Sequence, residues 1–201
     1  QSGAATEPAD RERCLAIVLR EEGRLTTTIR RLLRTLRWES GEAADLARWG
    51  APSAAVAEAA ELLRAPLEEA GIQLSLEVAE LEGQAPVDLL SDTVTELLSN
   101  ALKHARGARE LRVALRSPGP GRALLEVSDD GPGLAAPDQA FQPFRQGEGS
   151  EGATPGSGLG LALLHEGWTL LGGKISVEGP GNTKKLYRVT GHSNLIPVIT
   201  S

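Results

Sequence analysis

The most informative part of the chain is residues 96–105, which read ELLSNALKHA and continue a helical pattern that begins at Val87. At about 100° per residue, Glu96, Asn100 and Lys103 fall on one polar stripe, and the apolar residues fall on the other side. A carboxylate, an amide and an ammonium on successive turns suit a metal-bound polyphosphate. Any amphipathic helix on a sheet also has a polar face, so this pattern by itself leaves both interpretations open.

A second signal lies at the end of the predicted strand 122–128. Its alternate apolar residues share one face, and by the two-residue period Asp129 lies on the same, core-facing side. The sequence puts no basic residue beside this carboxylate, so it needs a donor from elsewhere, and an adenine amino group would serve. Gly131 and Gly133 then release the chain into a turn, and a plain Asp-Asp-Gly turn is the alternative interpretation.

A glycine-rich segment, GSGLGL at residues 156–161, opens a predicted helix at 159–171. Glycines let the backbone approach a ligand closely, and a helix N-terminus offers unpaired N–H groups to phosphate. The segment matches neither the Walker loop nor the dinucleotide-binding motif. Six glycines between 147 and 160 predict a mobile lid, with Phe141 and Phe144 as its apolar hinge or anchor.

Length and composition exclude several classes of protein. The chain has 201 residues and a net charge of −6, from 27 acidic and 21 basic residues, which argues against a nucleic-acid partner. A single cysteine, Cys14, indicates a reducing compartment, and we expect a cytoplasmic location. No apolar run approaches the roughly 18 residues of a membrane span, so membrane contact is expected only through segments outside this chain. Because methionine is absent even at position 1, we expect a fragment or a processed product.

Residues 11–37 predict a helix with a heptad seam. The apolar positions of this seam are Leu15, Val18, Leu25, Ile29, Leu32 and Leu36. Such a stripe needs helical partners, and one amphipathic helix lying on its own domain is the alternative.

The rest of the chain predicts an α+β fold. A helix is expected at 53–70, and strands are expected at 72–79, 111–116, 122–128, 174–178 and 185–190. Together with helices 87–105 and 159–171, this order predicts a two-layer α/β sandwich, a mixed sheet covered by about three helices on one face. Residues 182–201 hold two of the four lysines and no alanine or acidic residue, and we place no chemistry in this atypical tail.

Four motifs in this order give the chain a family resemblance. Residues 96–105 resemble the N box of sensor histidine kinases, and residues 129–133 resemble their first glycine box. Residues 141–144 are similar to the F box, and residues 156–161 to the second glycine box. The resemblance covers about 65–180. It implies the nucleotide-binding fold of the wider superfamily of gyrase, Hsp90 and MutL-type ATPases, and it implies ATP and Mg²⁺ as cofactors.

The resemblance also implies roles for individual residues. Asn100 would coordinate Mg²⁺, with Glu96 nearby as a ligand or as a base that polarises water. Lys103 and His104 would face the phosphates, so the catalytic candidates are Glu96, Asn100 and Lys103. Asp129 would accept the adenine amino hydrogen. The other nucleotide-binding candidates shape the base pocket, the lid and the phosphate cradle: Gly131, Gly133, Phe144, Arg145, Gly156, Ser157, Gly158, Leu159 and Gly160.

The N-terminal part resembles the second helix of the family's dimerisation bundle. Residues 1–50 would then be a partial dimerisation segment that forms a homodimer, and residues 51–201 would be the ATP-binding domain. The phosphoaccepting histidine belongs on the first helix of the bundle. None of the three histidines lies on a heptad helix: His104, His165 and His192. The chain as given would therefore bind ATP without phosphorylating itself in the usual way.

The resemblance implies a sensor histidine kinase that passes a phosphoryl group from ATP to a histidine and then to an aspartate of a response regulator. Departures from the family pattern leave alternatives open. Arg145 follows Phe144 directly, where the family often has an intervening residue, and Leu-Gly-Gly at 171–173 replaces the usual His-Gly-Gly. Glu96, where many relatives carry Asn, leaves open ATP hydrolysis by a gyrase-like ATPase. A nucleotide-binding or dimerisation module without kinase activity is the other alternative.

Overall fold

The computed structural model describes residues 47–105, 107–134, 136–145, 158–179 and 185–192, together with Cys14 and Ile29. Most of the predicted N-terminal helix lies outside these residues, although Cys14 and Ile29 are both helical. Within the described ranges, no helix is both long enough and apolar enough to cross a membrane.

A five-stranded mixed sheet forms the centre of the fold. The described strands are β1 (Trp49–Gly50), β2 (Gln73–Val78), β3 (Ala85–Pro86), β4 (Glu110–Gly119), β5 (Arg122–Asp129), β6 (Lys174–Glu178) and β7 (Lys185–His192). Five of them pair in the order β2-β4-β5-β7-β6, with β2 and β4 parallel and the other neighbours antiparallel. The predicted mixed sheet is therefore confirmed.

Helices cover one face of this sheet. The described helices are α1 (Pro52–Glu61), α2 (Arg64–Glu69), α3 (Val87–His104) and α4 (Gly160–Leu170). The prediction of a single helix over 53–70 is wrong, because the chain breaks between α1 and α2 at Leu62 and Leu63. Pro66 explains the break, since a proline has no N–H to donate and its ring clashes with the carbonyl four residues earlier.

The two faces of the sheet have opposite character. Val113, Leu125 and Val127 point to the helices and are at most 2% exposed. The other face carries ion pairs that cross the strands, among them Arg116 with Glu126 at 2.6 Å. Alternation of apolar and charged residues is typical of a sheet covered on one side only. The predicted two-layer α/β sandwich is therefore confirmed.

A buried hydrogen bond joins the two helices that carry the candidate site. Trp168 of α4 donates from Nε1 to Oγ1 of Thr93 on α3 at 3.0 Å, and the Thr93 hydroxyl donates to the Leu89 carbonyl at 2.6 Å. Both side chains are almost completely buried. This bond fixes the position of α4 relative to α3, because a buried donor without a partner would cost free energy.

A short ribbon attaches the preceding chain to the start of α3. Strand β1 pairs antiparallel with β3, which the sequence did not predict because two-residue strands have no periodicity to detect. The Val87 N–H donates to the Arg48 carbonyl at 3.0 Å, and the Arg48 guanidinium contacts Asp88 at 2.6 Å. The segment that leads into the domain is thus fastened to the first turn of α3.

Candidate functional site

Helix α3 presents the predicted polar stripe on the side away from the core. Glu96 and Asn100 are half-buried, whereas Lys103 and His104 are exposed in the last turn. The apolar residues of the helix are buried on the other side, as the sequence predicts. Cations in the last turn of a helix also complement its dipole.

The Glu96 carboxylate lies against the first residue of α4. A Cβ atom added to Gly160 would overlap the Glu96 carboxylate group. Gly160 begins α4, so a negative charge sits where the helix dipole is positive and where backbone N–H groups lack helical partners. The structure thereby brings together one residue of the predicted N box and one of the predicted second glycine box.

Asp129 is a buried carboxylate at the end of β5, as its strand phase predicts. It is 3% exposed, and its Oδ1 accepts a hydrogen bond from the Gly131 N–H at 3.1 Å. Burial raises the pKa of Asp129 above its usual value, and the opposing pull of Lys185 and of the Gly131 N–H is smaller. Such a carboxylate has acceptor capacity left for a ligand donor.

The expectation that no basic residue lies beside Asp129 is wrong. Strands β5 and β7 pair so that Asp129 is opposite Lys185, and Lys185 Nζ lies 3.6 Å from Asp129 Oδ2. Both residues are nearly inaccessible to solvent, at 3% and 4% exposure. Lys185 falls in the 182–201 segment in which we expected no chemistry. The available signal was the alternation Lys185, Tyr187, Val189, which places all three on one face of β7.

Tyr187 is a buried residue of β7 that the sequence analysis also missed. Its pKa is raised, first by burial and then by the negative charges of Asp129 and Glu96. The buried Tyr187 hydroxyl therefore experiences the negative charge of both acids.

The turn after β5 packs against the end of α3. A Cβ atom on Gly131 would lie 3.0 Å from Asp129 Oδ1 and 3.1 Å from Ala105 Cβ, so only glycine fits without displacement. Asp130, which lies between Asp129 and Gly131, points outward. Its Oδ1 accepts hydrogen bonds from the Arg109 and Glu110 N–H groups at 2.8 and 2.9 Å. Asp130 holds the turn and leaves the buried position to Asp129.

The predicted F box meets the glycine-rich segment through its backbone. The Phe144 N–H donates to the Gly158 carbonyl at 3.0 Å, and both residues have positive φ, 61° and 67°. A Cβ atom on Gly158 would lie 2.7 Å from the Phe144 carbonyl carbon. Phe141 packs on the core and its ring centroid lies 5.4 Å from that of His165, while Phe144 is 75% exposed. Phe141 is thus anchored, and Phe144 is not.

The remaining predicted site residues are less defined. Gly133 and Leu159 are half-buried, and Arg145 is exposed, with its Nε 3.4 Å from Gln142 Oε1. Gly156 and Ser157 lie outside the described residues. His104 and His165 are exposed helix residues, and His192 ends β7.

The site fits a purine nucleotide and a magnesium ion. A buried carboxylate with acceptor capacity lies at the end of β5, and a Cβ atom on Gly131 or on Gly160 would crowd its neighbours. In the described part of the chain, His, Cys, Asp and Glu side chains form no cluster of three or more that could hold a metal ion. Mg²⁺ needs only one or two protein oxygens when phosphate and water supply its other ligands. The Glu96 and Asn100 oxygens, one helical turn apart, suit that purpose.

Three features define a nucleotide-binding domain of the two-layer type. They are a mixed sheet with helices on one face, an acidic residue at the end of an inner strand, and a helix that begins with a glycine. The chain belongs to the histidine kinase-, DNA gyrase B-, and HSP90-like ATPase family, whose model matches residues 86–191. That family is one of ATPases, which supports ATP as the substrate of this domain.

Similar proteins of known identity are sensor histidine kinases. The chain is 35% identical over 136 residues to the histidine protein kinase DivJ of Caulobacter vibrioides, which covers 64% of this chain and 23% of DivJ. Among solved structures, the histidine kinase AdeS of Acinetobacter baumannii superposes with a TM-score of 0.71 at 20% identity, over 90% of this chain and 84% of that one. Full-length ShkA in complex with AMPPNP superposes with a TM-score of 0.70 at 23% identity, over 94% of this chain and 40% of that one.

These likenesses have different reach. The two superpositions, at 20% and 23% sequence identity, establish the fold alone, which is that of histidine kinase catalytic domains. The chain spans about a fifth of the length of the curated relatives that it matches. The four sequence motifs all lie within residues 86–191, which the family model matches.

Proposed function

We propose that this chain is the ATP-binding catalytic part of a two-component sensor histidine kinase. It transfers the γ-phosphoryl group of ATP to a histidine on a dimerisation bundle, for relay to an aspartate of a response regulator. The observation that carries the proposal is the buried Asp129 carboxylate, held by the Gly131 N–H next to the end of α3. A buried acceptor at this point suits the adenine amino group.

In this proposal the residues of α3 act on the phosphates. The exposed ammonium of Lys103 neutralises charge on the phosphoryl oxygens, and His104 lies beside it in the same turn. Mg²⁺, when bound by the Asn100 and Glu96 oxygens, supplies further charge neutralisation. Gly158 and Gly160 bring the backbone close to the phosphates, together with Gly156, Ser157 and Leu159.

The transfer itself depends on position. A histidine nitrogen of the bundle attacks the γ-phosphorus in line, a nitrogen–phosphorus bond forms, and the bond to the ADP oxygen breaks. ADP leaves with the electron pair of that bond. The protein contributes orientation and electrostatic stabilisation, since phosphoryl transfer needs little covalent chemistry from the enzyme. Phe144 and Arg145 lie at the edge of the site, where a lid would close.

The same proposal includes a homodimer formed through residues 11–37. Residues 1–50 would be the partial dimerisation segment and 51–201 the catalytic domain, with 182–201 as its atypical end. Ile29, a member of the predicted heptad seam, is helical and 47% exposed, which leaves it accessible to a second helix. The histidine that receives the phosphoryl group would lie on the bundle, and the response regulator would approach it there.

The decisive test is nucleotide binding by Asp129→Asn. We expect this variant to lose at least about tenfold in ATP affinity, because a carboxylate acceptor is replaced by an amide and each 1.4 kcal/mol is a factor of ten. Asp138→Asn is the matched control, since Asp138 is exposed. Equal affinity of both variants and the parent in titration calorimetry would contradict the assigned base site.

Kinase activity needs its own experiment. The chain is incubated with γ-labelled ATP and a separate helical bundle that carries the acceptor histidine, and labelled bundle is measured. Transfer supports the kinase. Tight binding without transfer supports a nucleotide-binding module instead.

A gyrase-like ATPase is the second candidate, favoured by one observation. The Glu96 carboxylate lies against Gly160 at the N-terminus of α4, where a γ-phosphate and its attacking water would be placed. Phosphate release without an acceptor, lost in Glu96→Ala while nucleotide still binds, would support hydrolysis. Phosphate release that Glu96→Ala leaves unchanged would speak against it.

A further inference from the structure

Asp130 joins the turn after β5 to the connector between α3 and β4 (residues 105–109). Its Oδ1 accepts the Arg109 and Glu110 N–H groups at 2.8 and 2.9 Å, and its own N–H donates to the Glu110 carbonyl at 3.3 Å. Hydrogen bonds from backbone N–H groups to a carboxylate are charge-assisted and stronger than neutral ones. An exposed side chain thus fastens two backbone segments to each other.

The connector is itself held on its other sides. The Gln73 N–H of β2 donates to the Arg109 carbonyl at 2.8 Å, and the Ala108 N–H donates to the Ala105 carbonyl directly after α3 at 3.0 Å. A Cβ atom on Gly131 would lie 3.1 Å from Ala105 Cβ, so the turn also packs closely on the end of α3. The connector is therefore a fixed support to which the turn is attached.

The proposed base anchor lies directly beside this attachment. Asp129 precedes Asp130 in the chain, and the Gly131 N–H that follows donates to Asp129 Oδ1 at 3.1 Å. Both chain neighbours of Asp130 thus belong to the base site, whereas Asp130 itself points away from it. A hydrogen bond weakens steeply with poor distance or angle, so a small displacement of the turn would misdirect the Asp129 carboxylate.

We propose that Asp130 is a positioning residue for nucleotide binding, which aims the Asp129 carboxylate by fastening the turn after β5 to the connector. The inference rests on the proposed function, because it takes Asp129 as the acceptor of the adenine amino group. Asp130 acts through the place of its acceptor oxygen and not through its charge. Burial is the main cause of the raised pKa of Asp129, and the negative charge of Asp130 raises this pKa further. That charge therefore opposes the ionised acceptor.

The test compares ADP with purine riboside 5′-diphosphate, which lacks the 6-amino group, by titration calorimetry with Mg²⁺ on the 201-residue chain. The ratio of the two dissociation constants reports the contact between the amino group and Asp129. We expect the parent chain to bind ADP at least about tenfold more tightly, because the second ligand lacks a hydrogen bond to a charged group. Asp130→Ala should lower this ratio to about threefold or less, since Asp129 is no longer aimed at the amino group.

Two conservative variants separate the acceptor oxygen from the charge. Asp130→Asn keeps an acceptor oxygen at the same place, so it should keep the ratio within about twofold of the parent. Asp130→Glu keeps the charge but moves the carboxylate by one methylene, so it should lower the ratio as Asp130→Ala does. In an Asp129→Asn background, Asp130→Ala should not lower the ratio further, because Asp130 acts through Asp129.

Asp138→Ala is the control, since Asp138 is an exposed aspartate, and it should leave the ratio unchanged. Thermal unfolding checks that each variant folds, and the comparison of Asp130→Asn with Asp130→Glu tests the inference even if Asp130→Ala does not fold. Equal weakening of both ligands with the ratio kept, or an equal loss of the ratio in Asp130→Asn and Asp130→Glu, would overturn the positioning role and leave the kinase proposal intact. A ratio near one in the parent chain would instead contradict Asp129 as the base anchor.

Discussion

Asp129 and Asp130 are sequence neighbours with different physical roles. Asp129 points into the domain, where it meets the Gly131 N–H and Lys185, while Asp130 points outward and accepts the Arg109 and Glu110 N–H groups. Because successive side chains of a strand alternate between faces, one aspartate becomes a buried acceptor and the other a turn anchor. At the scale of single residues, strand phase therefore decides which acid can bind a ligand.

The pKa of Asp129 leads to a prediction about pH. Burial raises this pKa above the value of about 4 for an exposed aspartate, and the base site needs the ionised carboxylate as an acceptor. As pH falls, protonation removes the acceptor before an exposed aspartate would titrate. We expect the nucleotide dissociation constant to rise as pH falls through this raised pKa, measured by calorimetry between pH 7 and pH 4.

Asp129→Asn is the control for this pH dependence. It lacks this titrating group, so it should lose the part of the pH dependence that Asp129 contributes. Parallel curves for the variant and the parent chain would mean that Asp129 does not titrate on binding.

The sequence predicts Asp129 but not its partner. The face of Asp129 follows from the period of its own strand, which is local information. Lys185 lies 56 residues away, and only the pairing of β5 with β7 sets it opposite Asp129. A strand pattern gives the phase of each strand, but the register between distant strands depends on tertiary packing. The sequence likewise does not distinguish Phe141 from Phe144, because tertiary packing decides that only Phe141 reaches the core.

At the scale of elements, the junction of α3 with α4 positions the candidate site. Gly160 lets the Glu96 carboxylate approach the first turn of α4. We predict that Gly160→Ala displaces this carboxylate and weakens Mg²⁺-dependent nucleotide binding about tenfold or more. Stability should be kept or raised by up to about 1 kcal/mol, because alanine favours a helix over glycine. Binding with and without Mg²⁺ and urea unfolding measure the two effects.

Gly119→Ala is the matched control for the junction. A Cβ atom there would meet nothing within 4 Å, so binding should be unchanged. If Gly160→Ala bound the Mg²⁺ nucleotide like the parent, the contact between Glu96 and α4 would have no role in the site.

The buried bond between the same helices gives a prediction about stability. Thr93→Val removes the acceptor of the Trp168 indole N–H and leaves that donor unsatisfied in the core. We expect the free energy of unfolding to fall by about 1–3 kcal/mol. Thr169→Val on α4 is the control, since Thr169 is exposed, and it should change the free energy by less than about 0.5 kcal/mol. Similar losses in both variants would show that the buried bond contributes nothing specific.

Element boundaries were predictable where a local signal exists. Strand β6 spans 174–178 as predicted, and α3 ends one residue before the predicted end. The break between α1 and α2 was missed because the apolar pattern of 53–70 continues through it, although Pro66 carries the steric reason. The β1–β3 ribbon was missed because its strands form only through pairing with each other.

At the scale of the whole molecule, the ribbon connects two parts of the proposed kinase. β1 follows the segment that holds the predicted dimerisation helix, and its partner β3 runs directly into α3. A shift of the incoming chain would therefore act on the helix that carries Glu96, Asn100 and Lys103. The ribbon is short and its Arg48–Asp88 ion pair is exposed, so it holds the connection weakly.

The heptad seam gives the last prediction, that the chain self-associates through residues 11–37. Ile29 is 47% exposed in the single chain, and pairing of this helix with its copy would bury it in both. Ile29→Glu should raise the dimer dissociation constant at least about a hundredfold, because burial of an isoleucine contributes about 1.5–3 kcal/mol per copy. Arg30→Glu introduces the same residue at a position that the heptad pattern places off the seam, so it should leave the dimer largely intact in sedimentation equilibrium. A dimer that survives Ile29→Glu, or a parent chain that stays monomeric at high concentration, would mean that this helix has another partner.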